Sequence, residues 1–508
     1  MQRKQLTLVI VSLLVVVLSV SLAYFTAQII GKGKDVSVTS ANLQIVFTDS
    51  DGALTETDIE PGWSATKTFT IKNDTKTEYK YNIVIKDLVN TFVTNGYLQY
   101  KITTTNGGYN MTEFKDIPKS SAPKDTILAY SVSIPVGVTQ SYTIEFKYAN
   151  DESVDQSDDM GKKLSGTLFI TEGTEQPTLL SQILNDNPTR STRSNNNNGT
   201  NDFATTLTTT TTGTLFTSTE SITGITDTPK EVYYYAGNTT NNWVKFANIY
   251  WRIIRTNHDS SIRLLYVGTS HDTTTGNIGT SLFNQNYDSP KYVGYKYGED
   301  TSLDTIRNNT TDSTIKTTID TWYQNNLTNY TKYLSTSAVY CNDRSEGTGQ
   351  TYSASADFNF APYYRMDYDT DGAKANPSYN CTNIKDAFSV DNTSAKLDYP
   401  VSLMTADEIA FAGGVAFQNM STPYAWFISN SAGTQVSTDW WSLSPVYWDG
   451  SVAIVWYWYS GYAYLNDSIV NIADAVRPAI SLKSCIKYST GNGTYETPYE
   501  IVETSSGC

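Results

Sequence analysis

Alternation of apolar and polar residues dominates residues 36–173 and predicts β-strands there. The clearest runs are rich in β-branched and aromatic residues and lie at residues 43–47, 66–71, 79–85, 141–146 and 164–170. Turn residues such as Pro61 and Gly62 separate them. Short strands divided by turns are typical of an all-β sandwich, so we predict one domain of immunoglobulin-like or jelly-roll type over residues 36–173.

The alternation ends in residues 174–212, which contain few apolar side chains. An asparagine run at 195–198 and a threonine run at 208–212 stand out. Such a segment cannot bury enough apolar surface to offset the entropy of ordering. We therefore predict a flexible linker over residues 174–212.

Residues 213–508 mix both periodicities and predict an α+β domain. Runs at 251–255 and 262–266 flank a polar turn and indicate a hairpin, and residues 313–327 have the apolar spacing of an amphipathic helix. Thr405 and Glu408 form a capping-box sequence at the start of a second helix. The two glycines at 413–414 then indicate its end.

Residues 440–464 carry ten Trp or Tyr, including five of the chain's ten Trp. Such rings offer large contact area at low entropic cost, with a polar tip on each, which favours a binding surface. The strand alternation predicts eight exposed ligand-binding residues: Tyr447, Trp448, Trp456, Trp458, Tyr462, Tyr464, Asn466 and Asp467. Trp440, Trp441 and residues 476–482 are expected in the core, with Arg477 in a salt bridge or hydrogen bonds. The alternative is an aromatic core throughout, and a shift of one residue in register would exchange the two faces.

The N-terminal residues 1–27 predict export. Arg3 and Lys4 precede an apolar run at residues 6–23, as in a secretory signal peptide, and the run is almost long enough to remain as an uncleaved membrane anchor. Contact with a membrane is expected only through this segment, if it stays uncleaved. We therefore expect an extracellular or cell-surface protein.

Composition agrees with export and narrows the function. A net charge of −15 disfavours nucleic acid and anionic membrane surfaces as partners. Two His leave little for a His-based catalytic site, and no convergent acid, base and nucleophile set is evident, so we expect no enzyme. The four Cys predict disulfides, and of three connectivities we favour the most local, which joins Cys341 to Cys381 and Cys485 to Cys508. The alternative is four free buried thiols.

One acidic loop is a candidate calcium site. Asp367, Asp369 and Asp371 precede Gly372, which matches the start of a calcium-binding loop. The twelfth position is Ser378, where a bidentate Glu is expected. A solvated acidic loop is the alternative, and calcium is the one cofactor the sequence suggests.

Two stretches near the N-terminus carry a family resemblance. The tetrapeptide AYFT at residues 23–26 and EPGWSATKTFTIKN at residues 60–73 are similar to the camelysin and TasA-type exported proteins of Gram-positive bacteria. That resemblance implies a signal of this kind followed by a β-sandwich that can form fibres.

A second resemblance covers the C-terminal domain. Motifs recur in order at residues 246–254, 340–345, 400–409, 440–445, 476–482 and 491–499. They resemble the WWLRSP-type domains, although Ser442 and Leu443 replace the Leu-Arg of that pattern. The resemblance implies a C-type lectin-like fold, which also occurs in formylglycine-generating enzymes and in proteins diversified by retroelements. The cysteine pair of those enzymes has no equivalent here, because Cys485 lies beyond the aromatic segment.

Together these features predict a surface protein that displays a C-type lectin-like domain on a β-sandwich stalk. Its ligand would be a glycan or a protein on another cell, a phage or a host surface. Retroelement diversification of the aromatic segment is compatible with its Tyr, Asn, Asp and Ser content. The alternative is a structural fibre or biofilm-matrix subunit assembled through the sandwich.

Overall fold

The computed structural model describes residues 26–27, 36–40, 43–49, 54–55, 59–196, 200–201, 203, 207, 214–366, 375–417 and 425–508. The chain divides into two compact units, Met1–Gln176 and Pro177–Cys508. Both are rich in β-strands, so the prediction of a multidomain, predominantly β protein is confirmed. Among the described residues, no helix combines the length and apolar character that crossing a bilayer requires. Of the predicted signal or anchor, residues 1–25 lie outside the described residues.

The first unit contains two sheets that contribute to one core. Its strands are Thr26–Ala27 (β1), Val36–Ser40 (β2), Leu43–Asp49 (β3), Leu54–Thr55 (β4), Ser64–Asn73 (β5), Tyr79–Asn90 (β6), Leu98–Thr105 (β7), Lys115–Asp116 (β8), Ser120–Ile134 (β9), Thr139–Tyr148 (β10) and Leu164–Glu172 (β11). One sheet has the order β4-β1-β11-β6-β9 and the other β2-β3-β5-β10-β7-β8. Alternating side chains from both, such as Ile71 and Ile144 facing Ile83 and Ile170, are buried together. All five strands predicted for this region are present.

The second unit begins earlier than the sequence suggested. Leu179–Asp186 forms a helix (α1), and its Leu179 and Ile183 are buried in the main core of this unit. Thr178 caps this helix by accepting a hydrogen bond from the Ser181 amide at 3.1 Å. The predicted flexible linker is therefore wrong for its first part, because two apolar residues one helical turn apart are enough to anchor it.

Among the described residues, the remaining elements of the second unit are strands and four helices. The strands are Arg190–Thr192 (β12), Asn195–Asn196 (β13), Thr200–Asn201 (β14), Thr214–Glu220 (β15), Lys230–Ala236 (β16), Trp243–Phe246 (β17), Ile249–Thr256 (β18), Ile262–Gly268 (β19), Thr280–Leu282 (β20), Lys296–Tyr297 (β21), Thr311–Asp312 (β22), Tyr340–Cys341 (β23), Phe358–Asn359 (β24), Ala387–Phe388 (β25), Val401–Leu403 (β26), Trp440–Trp448 (β27), Ala453–Tyr459 (β28), Tyr464–Ile469 (β29), Ala473–Ala475 (β30), Pro478–Leu482 (β31), Tyr488–Thr490 (β32) and Tyr499–Ile501 (β33). The helices are Leu303–Ile306 (α2), Thr314–Asn326 (α3), Ala361–Met366 (α4) and Ala406–Ala412 (α5). Short 3-10 helices lie at Ser157–Asp159 in the first unit, and at Pro290–Val293, Thr328–Tyr333 and Ile384–Asp386 in the second.

Two sheets organise this second unit. A ten-stranded sheet includes the predicted hairpin β18–β19 and the buried strand β31. A six-stranded sheet has the order β20-β30-β27-β28-β29, with β24 beside β27. Helix α5 has the predicted capping box, and Gly413 ends it at φ 116°, a left-handed value that glycine adopts without strain.

Both predicted disulfides are present. Cys341 joins Cys381, and Cys485 joins Cys508. Disulfides persist in oxidising compartments, so this pairing indicates an extracellular protein.

Candidate functional site

The aromatic segment forms adjacent strands of the six-stranded sheet, and their register decides which side chains share a face. Tyr457 lies opposite Asn466, and Tyr459 lies opposite Tyr464. Cross-strand partners point to the same side of a sheet. The turn between β28 and β29 adds Tyr462, whose ring centroid is 5.4 Å from that of Tyr459 and 6.2 Å from that of Tyr464. We call Tyr457, Tyr459, Tyr462, Tyr464 and Asn466 the tyrosine face.

Tyr462 is the most exposed member of the tyrosine face. Its side chain is 52% exposed, whereas the others are half-buried. The turn that presents Tyr462 contains Ala463 at φ 54°, in the left-handed region that a residue with a Cβ adopts at a cost. Asn466 Nδ2 donates a hydrogen bond to the Tyr457 hydroxyl at 3.2 Å, which fixes that hydroxyl at the inner end of the face.

Three of the predicted exposed residues are instead buried. Trp448, Trp456 and Trp458 are at most 2% exposed, so their predicted exposure is wrong. Phe427 packs edge-on against Trp458 at 4.9 Å, and the Trp456 ring lies 5.1 Å from that of Phe417. The buried and exposed sides of strand β28 are therefore the reverse of the prediction. The indole rings face the core because burying them removes more apolar surface from water than burying tyrosines.

The other five predicted residues divide between two faces. Tyr462, Tyr464 and Asn466 belong to the tyrosine face. Tyr447 and Asp467 lie on the opposite side of the sheet, the side of Trp456, where the Tyr447 hydroxyl donates a hydrogen bond to Asp467 Oδ2. That bond is a structural contact in a half-buried position, and it separates this pair from the tyrosine face.

Sequence reasoning missed Tyr457 and Tyr459. The signal was present in the run Trp456-Tyr457-Trp458-Tyr459, where one side of the strand carries only indoles and the other only phenols. A phenol can keep its hydroxyl in water, whereas an indole has a larger apolar ring that is more favourably buried. The type of ring therefore indicates the register better than the count of aromatic residues does.

The expected core residues are buried as predicted. Trp440 and Trp441 are 1% and 0% exposed, and the whole of β31 is buried. Arg477 stacks on Trp440, with its guanidinium carbon 5.2 Å from the ring centroid, and donates hydrogen bonds to the carbonyls of Phe427 and Tyr266. Burial lowers the pKa of Arg477 to about 9.

Two carboxylates border the tyrosine face. Asp439 Oδ1 accepts hydrogen bonds from the Ser460 amide and hydroxyl, both at 2.7 Å. Asp474 has one buried oxygen, Oδ2, without a hydrogen-bond partner among the described residues. Burial, together with the negative charge of Asp439, raises the pKa of Asp474 to about 6. Burial and both carboxylates also raise the pKa of Tyr457 to about 12, so its hydroxyl stays neutral.

A buried ion cluster lies elsewhere in the second unit. Glu408 pairs with Arg255 at 2.7 Å and with Arg263, and Glu220 pairs with Arg255 at 2.8 Å. Burial opposes the charge of Glu408, but the two guanidiniums outweigh it, and its pKa is lowered. The cavity beside this cluster holds only about 20 Å³, room for one water molecule. The ion pairs of this cluster join strands β15, β18 and β19 to helix α5.

Three acids lie close enough together to hold a metal ion. Asp312, Asp320 and Asp398 bring their carboxylate oxygens within 4.8 Å of one another. The Lys316 ammonium lies among them, 3.1, 2.5 and 2.7 Å from the three oxygens, and therefore supplies the cation. The predicted calcium ligands Asp367, Asp369 and Asp371 lie outside the described residues.

Comparisons with known proteins add no family. No family model matches the chain, and no curated protein does. One solved structure, described as "AvmM Catalyzes Macrocyclization in Alchivemycin A Biosynthesis", is 11% identical and covers 29% of this chain and 100% of its own, with a TM-score of 0.16. A family 123 glycoside hydrolase from Clostridium perfringens is 10% identical and covers 27% of this chain and 25% of its own, with a TM-score of 0.11. Similarity this low carries no argument about fold or activity.

Proposed function

We propose that this protein is an exported bacterial surface protein whose second unit binds a ligand through the tyrosine face. The observation that carries the proposal is the grouping of four tyrosines on one accessible side of a hydrogen-bonded sheet. Folding alone does not require Tyr462 to stand half in water beside two other rings. Rigid aromatic residues with polar tips are enriched at recognition surfaces for glycans and proteins.

The setting of the tyrosine face also fits recognition. Each half-buried member of the face lies on a strand whose other side is packed by Trp456, Trp458 or Leu465, all fully buried. The rings are therefore held in place before a ligand arrives, which reduces the entropy lost on binding. We further propose that this unit has the C-type lectin-like fold and that the first is a β-sandwich stalk, the architecture to which the sequence motifs point.

The fibre alternative is less favoured by the first unit. Strand β9 is the outer strand of the five-stranded sheet, and its first half carries exposed Pro123, Lys124 and Asp125. Proline and charges on an edge strand oppose pairing with another chain. Concentration-dependent filaments of residues 36–173, seen by electron microscopy, would restore the fibre alternative.

An array screen tests the binding proposal. Labelled full-length protein would be applied to arrays of bacterial, phage and host surface glycans and proteins, beside a Tyr459→Ser/Tyr462→Ser variant. The matched control is Tyr287→Ser. Tyr287 is 42% exposed, and its carbonyl accepts a hydrogen bond from Ala453, at the opposite end of β28. We expect a ligand that the control retains and the tyrosine-face variant loses; ligands retained equally by all three proteins would refute the proposal.

A further inference from the structure

The segment that carries the tyrosine face has charges of one sign only. Residues 425–476 contain four Asp and no Glu, Lys, Arg or His. The next cation along the chain, Arg477, is buried against Trp440 on the other side of the sheet, where it cannot neutralise this face. An anionic ligand would therefore meet repulsion here, and a cationic ligand would be attracted.

Strand register places two of these acids beside the tyrosines. Trp440 pairs with Ala475 in parallel and with Trp458 in antiparallel orientation. One residue along from these pairs, the register brings Asp474 beside Asp439, which directly precedes β27, and Asp439 beside Tyr459. Tyr459 in turn pairs with Tyr464, so the four side chains form a row across one face. The two hydrogen bonds from Ser460 to Asp439 agree with that order.

The rings beside this row form a compact aromatic group. The centroids of Tyr459, Tyr462 and Tyr464 lie 5.4–6.2 Å apart. Tyr462 and Tyr464 are within 21° of parallel, and Tyr459 stands at 67° and 87° to them. A cation within about 6 Å of a tyrosine ring centroid is attracted by the negative ring face, and one cation here can approach several rings at once.

We propose that the tyrosine face, with Asp439 and Asp474 at its border, binds a quaternary ammonium group such as a choline headgroup. This inference rests on the proposed function and names its ligand class. Aromatic rings and carboxylates together stabilise a cation, whereas a neutral sugar would leave the negative charge of the two acids uncompensated. The bound cation then compensates the negative charge of the Asp474 carboxylate by Coulomb attraction, without a hydrogen bond to its unpartnered oxygen.

The hydrogen-bonding state of the site favours a quaternary over a primary ammonium. A primary ammonium has three N–H donors to satisfy. Asp439 Oδ1 already accepts two hydrogen bonds, and the Tyr457 hydroxyl already accepts one from Asn466. The remaining acceptor, Asp474 Oδ2, is buried and therefore out of reach of an N–H donor on a ligand at the surface. A quaternary ammonium has no N–H donors to satisfy, so contact with the aromatic rings can replace its weakly bound hydration shell.

Titration of the full-length protein with choline chloride tests the inference. The comparison ligand is 3,3-dimethylbutan-1-ol, which has the shape of choline without its charge. We expect choline to bind about tenfold more tightly than the alcohol, by calorimetry or ligand-observed NMR. Asp439→Asn should weaken choline binding about fivefold, Tyr462→Ser should reduce it at least as much, and Tyr287→Ser should leave it unchanged.

Each other outcome has a defined meaning. Equal affinity for choline and the alcohol, or choline binding unaffected by both Asp439→Asn and Tyr462→Ser, would overturn the inference. Butylamine that binds as tightly as choline would overturn the quaternary preference. A neutral array ligand that is lost in the tyrosine-face variant, with no choline binding, would overturn this inference and leave the proposed function standing. Because Tyr462 is more than half exposed, its substitution does not depend on the core, and circular dichroism would confirm that the variant is folded.

Discussion

Indole and phenol rings are sorted to opposite sides of strand β28. Trp456 and Trp458 are fully buried, while the intervening Tyr457 and the following Tyr459 are half exposed. Alternation alone left two registers open, since both sides of the strand are aromatic. The identity of the rings settles the choice, because the larger and less polar ring releases more free energy on burial.

Substitution of one ring from each side should have very different effects on stability. Trp458→Ala would leave a large cavity beside Phe427 and should lower the free energy of unfolding by about 3–5 kcal/mol. Tyr462→Ala should change it by less than about 0.5 kcal/mol, because more than half of that side chain is in water. Urea denaturation followed by tryptophan fluorescence measures both; similar losses for the two variants would contradict this arrangement.

Asp474 makes the stability of the second unit depend on pH. Its folded-state pKa of about 6 lies above the ordinary 3.8, so the folded state binds more protons than the unfolded state between these values. Stability therefore falls as pH rises through that window and stays reduced above it. Asp474→Asn removes the effect and should stabilise the protein at neutral pH by about 1 kcal/mol, a figure reduced for solvent screening.

Thermal denaturation of both proteins between about pH 3.5 and pH 8 would check this, since the predicted gain is absent at the acid end and full above the folded pKa. A constant difference across the range would show that Asp474 does not titrate in this way.

Helix α5 shows how local and distant information combine in one element. Its capping box and its glycine stop are local in sequence, and both were predictable. The other role of Glu408, neutralising Arg255 and Arg263, joins residues 153 and 145 positions apart, which no local pattern contains. The same limit explains why the strands could be predicted while the row from Asp474 to Tyr464 could not.

Neutralising Glu408 should destabilise the protein severely. Glu408→Gln leaves Arg263 as a buried charge without its carboxylate partner and should lower the free energy of unfolding by about 3–5 kcal/mol. The stability of Glu408→Gln should also fall less on acidification than that of the unmodified protein. The lowered pKa of Glu408 stabilises the unmodified fold at neutral pH, and that contribution disappears as pH falls.

The matched control is Asp304→Asn, which removes the partner of Lys385 in a pair whose acid is 77% exposed. It should leave the denaturation midpoint unchanged. If Asp304→Asn lowered the free energy of unfolding as much as Glu408→Gln, burial would not be the reason that the ion cluster matters for stability.

At the scale of the whole molecule, the boundary between the units lies at residue 176 rather than residue 212. The average composition of residues 174–212 is polar, and this average concealed Leu179 and Ile183, which pack into the core of the second unit. Composition is a sound guide over a long window, but two apolar residues on one side of a short helix outweigh it locally.

Truncation tests that boundary. A fragment of residues 177–508 should fold with the cooperative transition of the intact unit. A fragment of residues 213–508 would expose the core surface that Leu179 and Ile183 cover and should melt at a lower temperature, by several degrees or more. Equal melting temperatures in calorimetry would show that helix α1 is dispensable and that the flexible-linker prediction was adequate.

The central claim is that the tyrosine face contacts ligand, and chemical footprinting of tyrosines tests it most directly. The full-length protein would be nitrated with and without a saturating ligand, either choline or a ligand found on the array, and each tyrosine would be quantified by mass spectrometry. We predict that Tyr459, Tyr462 and Tyr464 are protected by ligand while Tyr287 reacts at an unchanged rate. Unchanged reactivity of those three tyrosines, with protection appearing elsewhere on the second unit, would contradict the claim.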